Sequence, residues 1–361
     1  NSDLQMYPLG FINTEYNCYF NSLMQGLLSC TSFIVAINEI ANTKDKILKK
    51  KYNDNIFIKE IFNSINYNYI YLLLKNKTKH DFDINKEIKK IYNTSNNFNI
   101  LLDEIKNLDD LYNVMTLVKK KYIYSGFNIW KMMLKHLIKK KGNNDVIKDF
   151  ESGQQCAREG FYYLLESLDE FPQIQNLFKH RYTTNIYCID CDKKVSSTSC
   201  QYSLFDIDPE FKSPQLEKFL QYDETANVNR TLQSYIKKQN SYVDKDYICN
   251  SCKKKGECFK SSILVMSPEI LIIMAKKYTI KGKRNIYTDY SRYIRLKGKH
   301  GNEFVYEAIS QIEHIGGLNN GHYYSICKRN EGWFKIDDES VSNEENFKPT
   351  NNTYIVIYHI I

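Results

Sequence analysis

The chain has 361 residues, of which 42% are hydrophobic and 25% charged, and at about 150 residues per domain its length corresponds to two or three domains. This balance excludes a disordered chain, and no apolar stretch approaches the roughly 18 to 20 residues that a membrane-spanning helix needs. The net charge of +8, from 50 Lys plus Arg and 42 Asp plus Glu, lies largely in lysine runs that are typical of solvated surfaces. We therefore expect a soluble globular enzyme or binding protein, with neither a membrane nor a nucleic acid as its partner.

The ten cysteines lack a secretory leader before them, which favours a reducing compartment such as the cytoplasm or the nucleus. In such a compartment, clustered cysteines bind metal or perform chemistry more often than they form disulfides. The sequence also lacks an initiator Met, so we expect an excised domain.

The first forty residues contain an apolar stripe at helical spacing, which predicts a buried helix that begins near Cys18. The stripe consists of Phe20, Leu23, Met24, Leu27 and Leu28.

The next segment, from about 42 to 152, is rich in Asn, Lys, Ile and Tyr. Helix-like pieces at Ile56–Ile65, Ile84–Ile91 and Ile129–Ile138 are separated by polar tracts such as Asn93–Asn99. We interpret it as a helical region that carries an insertion, with mobile parts.

Helical spacing returns at Gln154–Glu170, and after Pro172 the pattern changes to strands. The predicted strands are Tyr182–Tyr187, Gln201–Ile207, Ser262–Met266, Ile270–Met274, Phe304–Glu313, His322–Lys328, Gly332–Ile336 and Tyr354–Tyr358. Helices first and strands later favour an α+β protein with a helical lobe and an antiparallel sheet lobe.

Cys18 is a candidate nucleophile because its sulfur would lie in the first turn of a helix. Exposed N–H groups and the helix dipole favour a thiolate at that place. For an isolated cysteine, a small buried side chain at a helix start would be the better interpretation, so the assignment depends on the surrounding residues.

Two Cys-x-x-Cys knuckles form the second signal. They comprise Cys188 with Cys191 and Cys249 with Cys252. Four thiolates can surround Zn²⁺ tetrahedrally, and such a closed shell is structural because no position is left for water. Cys200 and Cys258 are nearby alternates that we interpret as ordinary thiols. A disulfide is a poorer interpretation because the compartment is reducing. A redox motif is a poorer interpretation because it would not need two copies.

The run Gly10-Phe-Ile-Asn13-Thr-Glu-Tyr-Asn-Cys18-Tyr-Phe-Asn21-Ser22-Leu-Met-Gln25 resembles the cysteine box of the ubiquitin-specific proteases. The run His314-Ile-Gly316 through Gly321-His322-Tyr323, followed by Trp333 and Asp337-Asp338, resembles their histidine box. The order of these boxes matches the family from residue 10 to 29 and from 154 to 361, and the two knuckles resemble its zinc-bearing fingers.

The resemblance implies roles for the matching catalytic residues. Cys18 would be the nucleophile, His322 the general base, Asp337 its orienting partner and Asn13 a donor to the oxyanion. Tyr323 would help to bind substrate, and Asp338 would either help to bind substrate or support the oxyanion.

Gln154-Gln-Cys156-Ala-Arg-Glu159-Gly-Phe resembles a further family box on the helix that faces the cleft, and it implies that Gln154 and Glu159 bind substrate. The family usually has Asp where this chain has Cys156, and a thiol cannot form a charge-assisted hydrogen bond with an arginine of ubiquitin's tail. In the cysteine box, Glu15, Tyr16 and Asn17 stand where the family has Gly-Asn-Thr, and the added carboxylate could oppose thiolate formation.

The resemblance implies a papain-like fold in a single catalytic domain over residues 1–361. Its parts would be a helical thumb at 1–180 with the insertion at about 42–152, zinc-binding fingers at 181–265 and a β palm at 266–361. We expect a monomeric thiol-dependent deubiquitinase that cleaves after the terminal glycine of ubiquitin through a thioester on Cys18, with structural Zn²⁺ as its cofactor.

Three alternatives stay open. The same chemistry could act on another ubiquitin-like modifier, SUMO or NEDD8, which Cys156 and the altered Glu15–Asn17 stretch would explain. A catalytically silent ubiquitin-binding scaffold would keep the fold, although the intact Cys, His and Asp set opposes it. A zinc-ribbon protein that binds nucleic acid would explain the knuckles and leave the Cys18 and His322 boxes unexplained.

Overall fold

The fold is described from a computed structural model. It defines residues 5–76, 108–142, 148, 153, 155–207, 241–279, 282–284, 288, 290–298, 301–317, 320–330 and 332–361. The predicted helical piece Ile84–Ile91 and the polar tract Asn93–Asn99 lie outside these residues. The chain divides into two compact units. Unit 1 comprises Asn1–Phe171 and His322–Asn346, and unit 2 comprises Pro172–Gly321 and Phe347–Ile361.

The helices in the described part of the chain are α1 (Cys18–Leu27), α2 (Thr31–Ala41), α3 (Lys46–Asp54), α4 (Ile56–Asn76), α5 (Leu108–Lys141), α6 (Ala157–Ser167) and α7 (Pro172–Phe178). The strands are β1 (His180–Cys188), β2 (Lys193–Tyr202), β3 (Phe205–Ile207), β4 (Ser241–Ile248), β5 (Lys255–Met266), β6 (Ile270–Ala275), β7 (Tyr278–Thr279), β8 (Gly282–Lys283), β9 (Tyr293–Lys297), β10 (Glu303–Ile315), β11 (His322–Arg329), β12 (Gly332–Asp337), β13 (Ser340–Glu344) and β14 (Thr353–Ile360). The predicted α+β class is confirmed.

Helix α1 is the central helix of unit 1. All of its residues are buried, the polar Asn21, Ser22 and Gln25 as well as the apolar stripe. It packs against β11 and against α6, within the same unit. The prediction that a buried helix begins near Cys18 is therefore confirmed.

Helices α4 and α5 pack against each other over a long interface. Helix α5 has 34 residues, so it is about 50 Å long, and it extends well beyond the predicted piece at 129–138. The described apolar cluster between the two helices consists of Ile70, Leu74, Leu111, Val114 and Val118. A large part of the presumed insertion is thus a packed helical hairpin of unit 1.

Strands β11, β12 and β13 form an antiparallel meander in unit 1. The β11–β12 register pairs Cys327 with Phe334, and Asp337 at the end of β12 pairs with Ser340 across a tight turn. In that turn Asp338 has a left-handed backbone with φ 49. The turn therefore presents two successive carboxylates at the end of the meander.

A buried arginine ties β11 to α1. The Arg329 guanidinium donates hydrogen bonds to the Gln25 side-chain oxygen at 3.0 Å and to the Gln25 carbonyl at 3.2 Å, and it also contacts Ser29 Oγ. The amide of Gln25 in turn donates to the Leu9 carbonyl at 2.8 Å. Since these groups are buried, the network fixes the chain before Cys18 and the strand after His322 to one helix.

Unit 2 contains α7, a sheet of order β2-β1-β5-β4 and a sheet of order β10-β14-β6-β3 with β9 on β10. Where the structure describes the chain, the ladders between these strands are antiparallel except that of the short strand β3, which runs parallel to β6. The predicted strand Gln201–Ile207 is therefore two pieces, the end of β2 and the separate strand β3. Among the described residues, no single helix is long and apolar enough to span a membrane. Helices α1 and α2 together reach that length and apolar character, but they are bent by 89° relative to each other.

Candidate active site and metal centre

Cys18 is the first residue of α1, and only 5% of its surface is exposed. The side chain of the preceding Asn17 accepts no hydrogen bond from the backbone N–H groups of the first turn, so it does not cap the helix. Its amide group instead donates to the Ile12 carbonyl at 3.0 Å and to the Asn21 side-chain oxygen at 3.2 Å. The positive end of the α1 dipole thus lies at the sulfur, where it stabilises a negative charge.

His322 bridges Cys18 and Asp337. It hydrogen-bonds the Cys18 side chain, and its Nε2 lies 2.5 Å from Asp337 Oδ1. The bond to Cys18 and, after it, the bond to Asp337 raise the pKa of His322 to about 9, although partial burial opposes the rise. A raised histidine pKa favours the imidazolium, whose positive charge stabilises a negative charge that forms on a sulfur beside it.

The second carboxylate of the turn holds two asparagine amides. Asp338 Oδ2 accepts a hydrogen bond from Asn13 Nδ2 at 3.1 Å, and Oδ1 accepts one from Asn21 Nδ2 at 2.9 Å. Burial raises the pKa of Asp338, and the bonds from Asn21 and Asn13 oppose that rise. The Asn13 amide has a second hydrogen available, so this contact does not use up its donor capacity.

The loop before Cys18 approaches the Asp338 turn closely. The backbone N–H of Phe11 donates to the Asp338 carbonyl at 2.8 Å. A Cβ at Gly10 would overlap that carbonyl, so only glycine fits there. The structure therefore brings Asn13, Cys18, His322, Asp337 and Asp338 together within unit 1.

The residues predicted to bind substrate have mixed placements. Glu159 is exposed in the first turn of α6, and Cys156 is half-buried at the N-cap position of that helix, without a side-chain capping bond. Tyr323 is only 2% exposed, so its contact with a substrate stays a prediction. Gln154 lies outside the described residues.

The two cysteine knuckles meet at one end of a sheet in unit 2. Cys188 ends β1, Cys249 follows β4, and the four sulfurs of Cys188, Cys191, Cys249 and Cys252 lie within 4.8 Å of one another. Asp192 and Lys253, each directly after the second cysteine of its knuckle, have left-handed backbones with φ 52 and 60. This turn folds each Cys-x-x-Cys back on itself.

The sulfur positions fit a tetrahedral zinc ion. Cys188 and Cys252 have sulfurs 3.8 Å apart, and so have Cys191 and Cys249. At a Zn–S distance of about 2.3 Å, the edge of a tetrahedron of sulfurs is about 3.8 Å. Backbone N–H groups of Cys252 and Ser251 also point at the Cys249 sulfur, and they lower its pKa to about 7. The cluster is therefore able to hold a metal, and Cys200 and Cys258 are not part of it.

Sequence reasoning gave no role to several residues that build the site. Asn21 and Asn17 both donate to the Ile12 carbonyl, at 3.1 and 3.0 Å, and they fix the loop that carries Asn13. Lys335 lies 3.6 Å from Asp337 Oδ2. Asn21 was recognised as part of the cysteine box, and that position was the available signal. No sequence signal pointed to Asn17, whose partners are the Ile12 carbonyl and the Asn21 side chain, or to Lys335, which lies two residues before Asp337 on β12.

Comparisons with known proteins identify relatives of this chain by sequence and by fold. A sequence model of the ubiquitin carboxyl-terminal hydrolase family matches residues 9–358. The chain is 25% identical to ubiquitin carboxyl-terminal hydrolase 8 of Saccharomyces cerevisiae over 52% of its own length and 41% of that protein. It is 22% identical to ubiquitin carboxyl-terminal hydrolase 46 of Caenorhabditis elegans over 93% of its own length and 79% of that protein. A probable ubiquitin carboxyl-terminal hydrolase 16 of Schizosaccharomyces pombe is 29% identical, with 51% of this chain and 39% of that protein covered. The chain thus spans less than half the length of the two fungal relatives.

Among solved structures, the chain is similar to the SAGA Ubp8/Sgf11/Sus1/Sgf73 DUB module bound to ubiquitin aldehyde. The TM-score is 0.65 at 16% identity, and the match covers 100% of this chain and 71% of the other. This likeness concerns the fold, and the predicted papain-like architecture of the ubiquitin-specific proteases is confirmed. Since the family model matches nearly the whole sequence, the chain belongs to the ubiquitin carboxyl-terminal hydrolase family.

Proposed function

We propose that the chain is a cysteine-dependent deubiquitinase that hydrolyses the peptide or isopeptide bond after the C-terminal glycine of ubiquitin. The observation that carries this proposal is the position of His322, which hydrogen-bonds Cys18 on one side and Asp337 on the other. Membership of the family supports the same reaction. One alternative is the same chemistry on another ubiquitin-like modifier, and the other is a catalytically silent scaffold that keeps the fold.

The first step forms a thioester. His322 takes the proton of the Cys18 thiol, and the thiolate attacks the carbonyl carbon of the modifier's last glycine. Asp337 holds the imidazole ring through its bond to Nε2, so Nδ1 is the nitrogen available to Cys18. His322 then donates its proton to the departing amine as the C–N bond breaks.

The negative charge that develops on the attacked oxygen needs donors that are already in place. The second hydrogen of the Asn13 amide and the backbone N–H groups at the start of α1 are the candidates. Asn13 shares the Asp338 carboxylate with Asn21 of α1, and Cys18 is the first residue of that helix. Asp338 orients the Asn13 amide by accepting its other hydrogen. Asn13 would therefore act on the transition state, while Asp338 acts through Asn13.

The second step releases the modifier. A water molecule gives a proton to His322 and attacks the thioester carbonyl, the C–S bond breaks, and the Cys18 thiolate returns. The same residues therefore serve both steps, and the products are the free amine and the modifier with a C-terminal carboxylate.

We further propose that Cys188, Cys191, Cys249 and Cys252 hold one structural Zn²⁺. The sulfur separations support this, since they match the edge of a tetrahedral zinc–thiolate site. A closed shell of four thiolates supplies cross-linking between the β1 and β4 ends and no chemistry. The ion would thus stabilise unit 2 and take no part in the reaction.

The position of Cys156 is the observation that favours the first alternative, the same chemistry on another ubiquitin-like modifier. The thiol stands at the N-cap of α6, where a carboxylate would otherwise meet an arginine of ubiquitin's tail, and the nearest acid on that helix is Glu159 in the first turn. Either Glu159 takes over this contact, or the chain accepts a modifier without that arginine. SUMO and NEDD8 are therefore the modifiers to compare with ubiquitin.

The test is labelling by electrophilic C-terminal probes of ubiquitin, SUMO and NEDD8 in parallel, with the modified residue located by peptide mass spectrometry. We expect the ubiquitin probe to label Cys18, and Cys18→Ala to abolish both labelling and turnover. Cys156→Ala is the matched control and should still be labelled. Labelling by another modifier alone would transfer the proposal to that modifier. Measurable ubiquitin binding with an unlabelled Cys18 would indicate the scaffold.

A further inference from the structure

Helix α5 contacts the loop that carries Asn13. The backbone N–H of Ile12 donates to the carbonyl of Ile123, in the middle of α5, at 2.9 Å. Beside this bond, the Phe11 ring stacks on Tyr122 with 4.9 Å between ring centres. Gly126 faces the same ring, and a Cβ there would overlap Phe11. The loop and the helix therefore approach each other as closely as their backbones allow.

The same helix also holds the residue after Cys18. The indole N–H of Trp130 donates to the Tyr19 hydroxyl at 2.8 Å, and both side chains are fully buried. Helix α5 thus contacts the chain on both sides of the nucleophile. Because both groups are buried and cannot bond to water instead, this hydrogen bond holds the two side chains in a fixed relative position.

The outermost contact is an ion pair. Lys131 Nζ lies 3.3 Å from Glu15 Oε2, and the side chains are 27% and 40% exposed. Lys131 is also held over the Trp130 ring, 4.9 Å from its centre. Glu15 is the residue that replaces a glycine of the ubiquitin-specific proteases, so the helix supplies a partner for the carboxylate that this replacement adds.

We propose that Lys131 is a positioning residue for Asn13, which it fixes through its ion pair with Glu15. This rests on the proposed function, in which Asn13 donates to the oxyanion. Asn13 lies between Ile12, fastened to Ile123, and Glu15, fastened to Lys131, so α5 holds the loop on both sides of the donor. The restraint from α5 would replace the conformational role that a glycine has at position 15 in the family.

The restraint predicts an effect on turnover more than on binding. The oxyanion is absent from the bound substrate and develops only as the thiolate attacks, so a displaced Asn13 lowers kcat while KM changes little. Because the ion pair is exposed, we expect Lys131→Met to lower kcat about two- to fivefold. Glu15→Gln should have an effect of the same size, and the double substitution should be no worse than either single change.

The test measures kcat and KM on ubiquitin with a C-terminal fluorogenic amide for these variants and for charge reversals. Glu15→Lys and Lys131→Glu should each lower kcat, and the two together should restore it to within about twofold of wild type. Lys135→Met, an exposed lysine one turn further along α5, is the matched control and should leave kcat unchanged. Melting temperatures should stay constant throughout, because the pair is exposed.

A second readout does not depend on activity. Hydrogen exchange of the peptide 10–16 reports the protection of the Ile12 amide, which we expect to fall in Lys131→Met and to return in the charge swap. A swap that restores neither kcat nor protection would overturn the inference, as would a Lys131→Met protein that matches wild type in both. If wild type fails to cleave ubiquitin or to label at Cys18, the proposed function fails, and the exchange measurement still decides whether Lys131 fixes the loop.

Discussion

Asn21 is the residue whose replacement tests the site most directly, because its amide joins two segments that sequence alone does not connect. It donates to Asp338 Oδ1 at 2.9 Å and to the Ile12 carbonyl at 3.1 Å. Asn21→Asp keeps the shape and replaces both donors by an acceptor. The lost bond to a carboxylate is worth about 1.5–3 kcal/mol and the neutral one about 0.5–1.5 kcal/mol. We expect a loss of unfolding free energy of about 2–4 kcal/mol at pH 8.

The loss should depend on pH with a definite sign. The new carboxyl would face Asp338 and the Ile12 carbonyl, so its folded-state pKa lies above the ordinary value of about 4. A group with a raised folded-state pKa destabilises the fold least when it is protonated, and its penalty grows as the pH rises through that pKa. The variant should therefore differ less from wild type at pH 5 than at pH 8.

The assay is chemical denaturation followed at pH 5 and pH 8. Asn128→Asp, an exposed asparagine on α5, is the control and should change the unfolding free energy by less than about 0.5 kcal/mol. An Asn21→Asp protein as stable as this control, or one with an equal loss at both pH values, would refute the Asn21–Asp338 contact.

Three further outcomes are expected. Asp337→Asn removes an anion that helps to raise the pKa of His322 to about 9, so the alkaline limb of kcat/KM should move to lower pH. Cys249→Ser should lower the metal content from about one zinc per chain and lower the melting temperature, whereas Cys200→Ser should change neither, as elemental analysis and calorimetry would show. Gly10→Ala should reduce kcat/KM through a shift of the Asn13 loop, and wild-type kinetics in that variant would contradict the close approach.

Two features could be predicted because they depend on local sequence: the helix that carries Cys18, and the cluster of the four knuckle cysteines. A helix start follows from an apolar stripe, and a zinc knuckle follows from two cysteines at a fixed spacing. The roles of His322 and Asp337 could be expected only through the resemblance. Neither residue has a local property that identifies its partner, and their catalytic roles stay predictions.

The extent of α5 was missed although its signal was present. Buried positions recur at helical spacing from Leu111 through Val118 and Tyr122 to Met133 and Leu137. Tyrosines, lysines and asparagines between them made the segment look like a polar insertion. Its packing against α4 and against the Asn13 loop is tertiary, so composition gave no indication of it.

The contacts that shape the site could not have been predicted from the chain itself. Asn13, Asn21 and Phe11 all bind the turn at Asp338, more than three hundred residues away. The pairing of Glu15 with Lys131 is equally non-local. A sequence motif identifies the residues that take part in the chemistry, whereas the contacts that position those residues are seen only in the folded structure.

The discontinuity of unit 1 has a consequence for the order of folding. Its last segment, His322–Asn346, follows the whole of residues 172–321 in the chain, and the bonds from Asn21 to Asp338 and from Arg329 to Gln25 close loops of 317 and 304 residues. Contacts so distant form late, because the entropy of loop closure must be overcome before they contribute. During synthesis, Cys18 therefore lacks its contact with His322 until the strand that begins at His322 has been made. Under the proposed mechanism, a nascent chain carries an unactivated cysteine, and reactivity appears only with the completed meander.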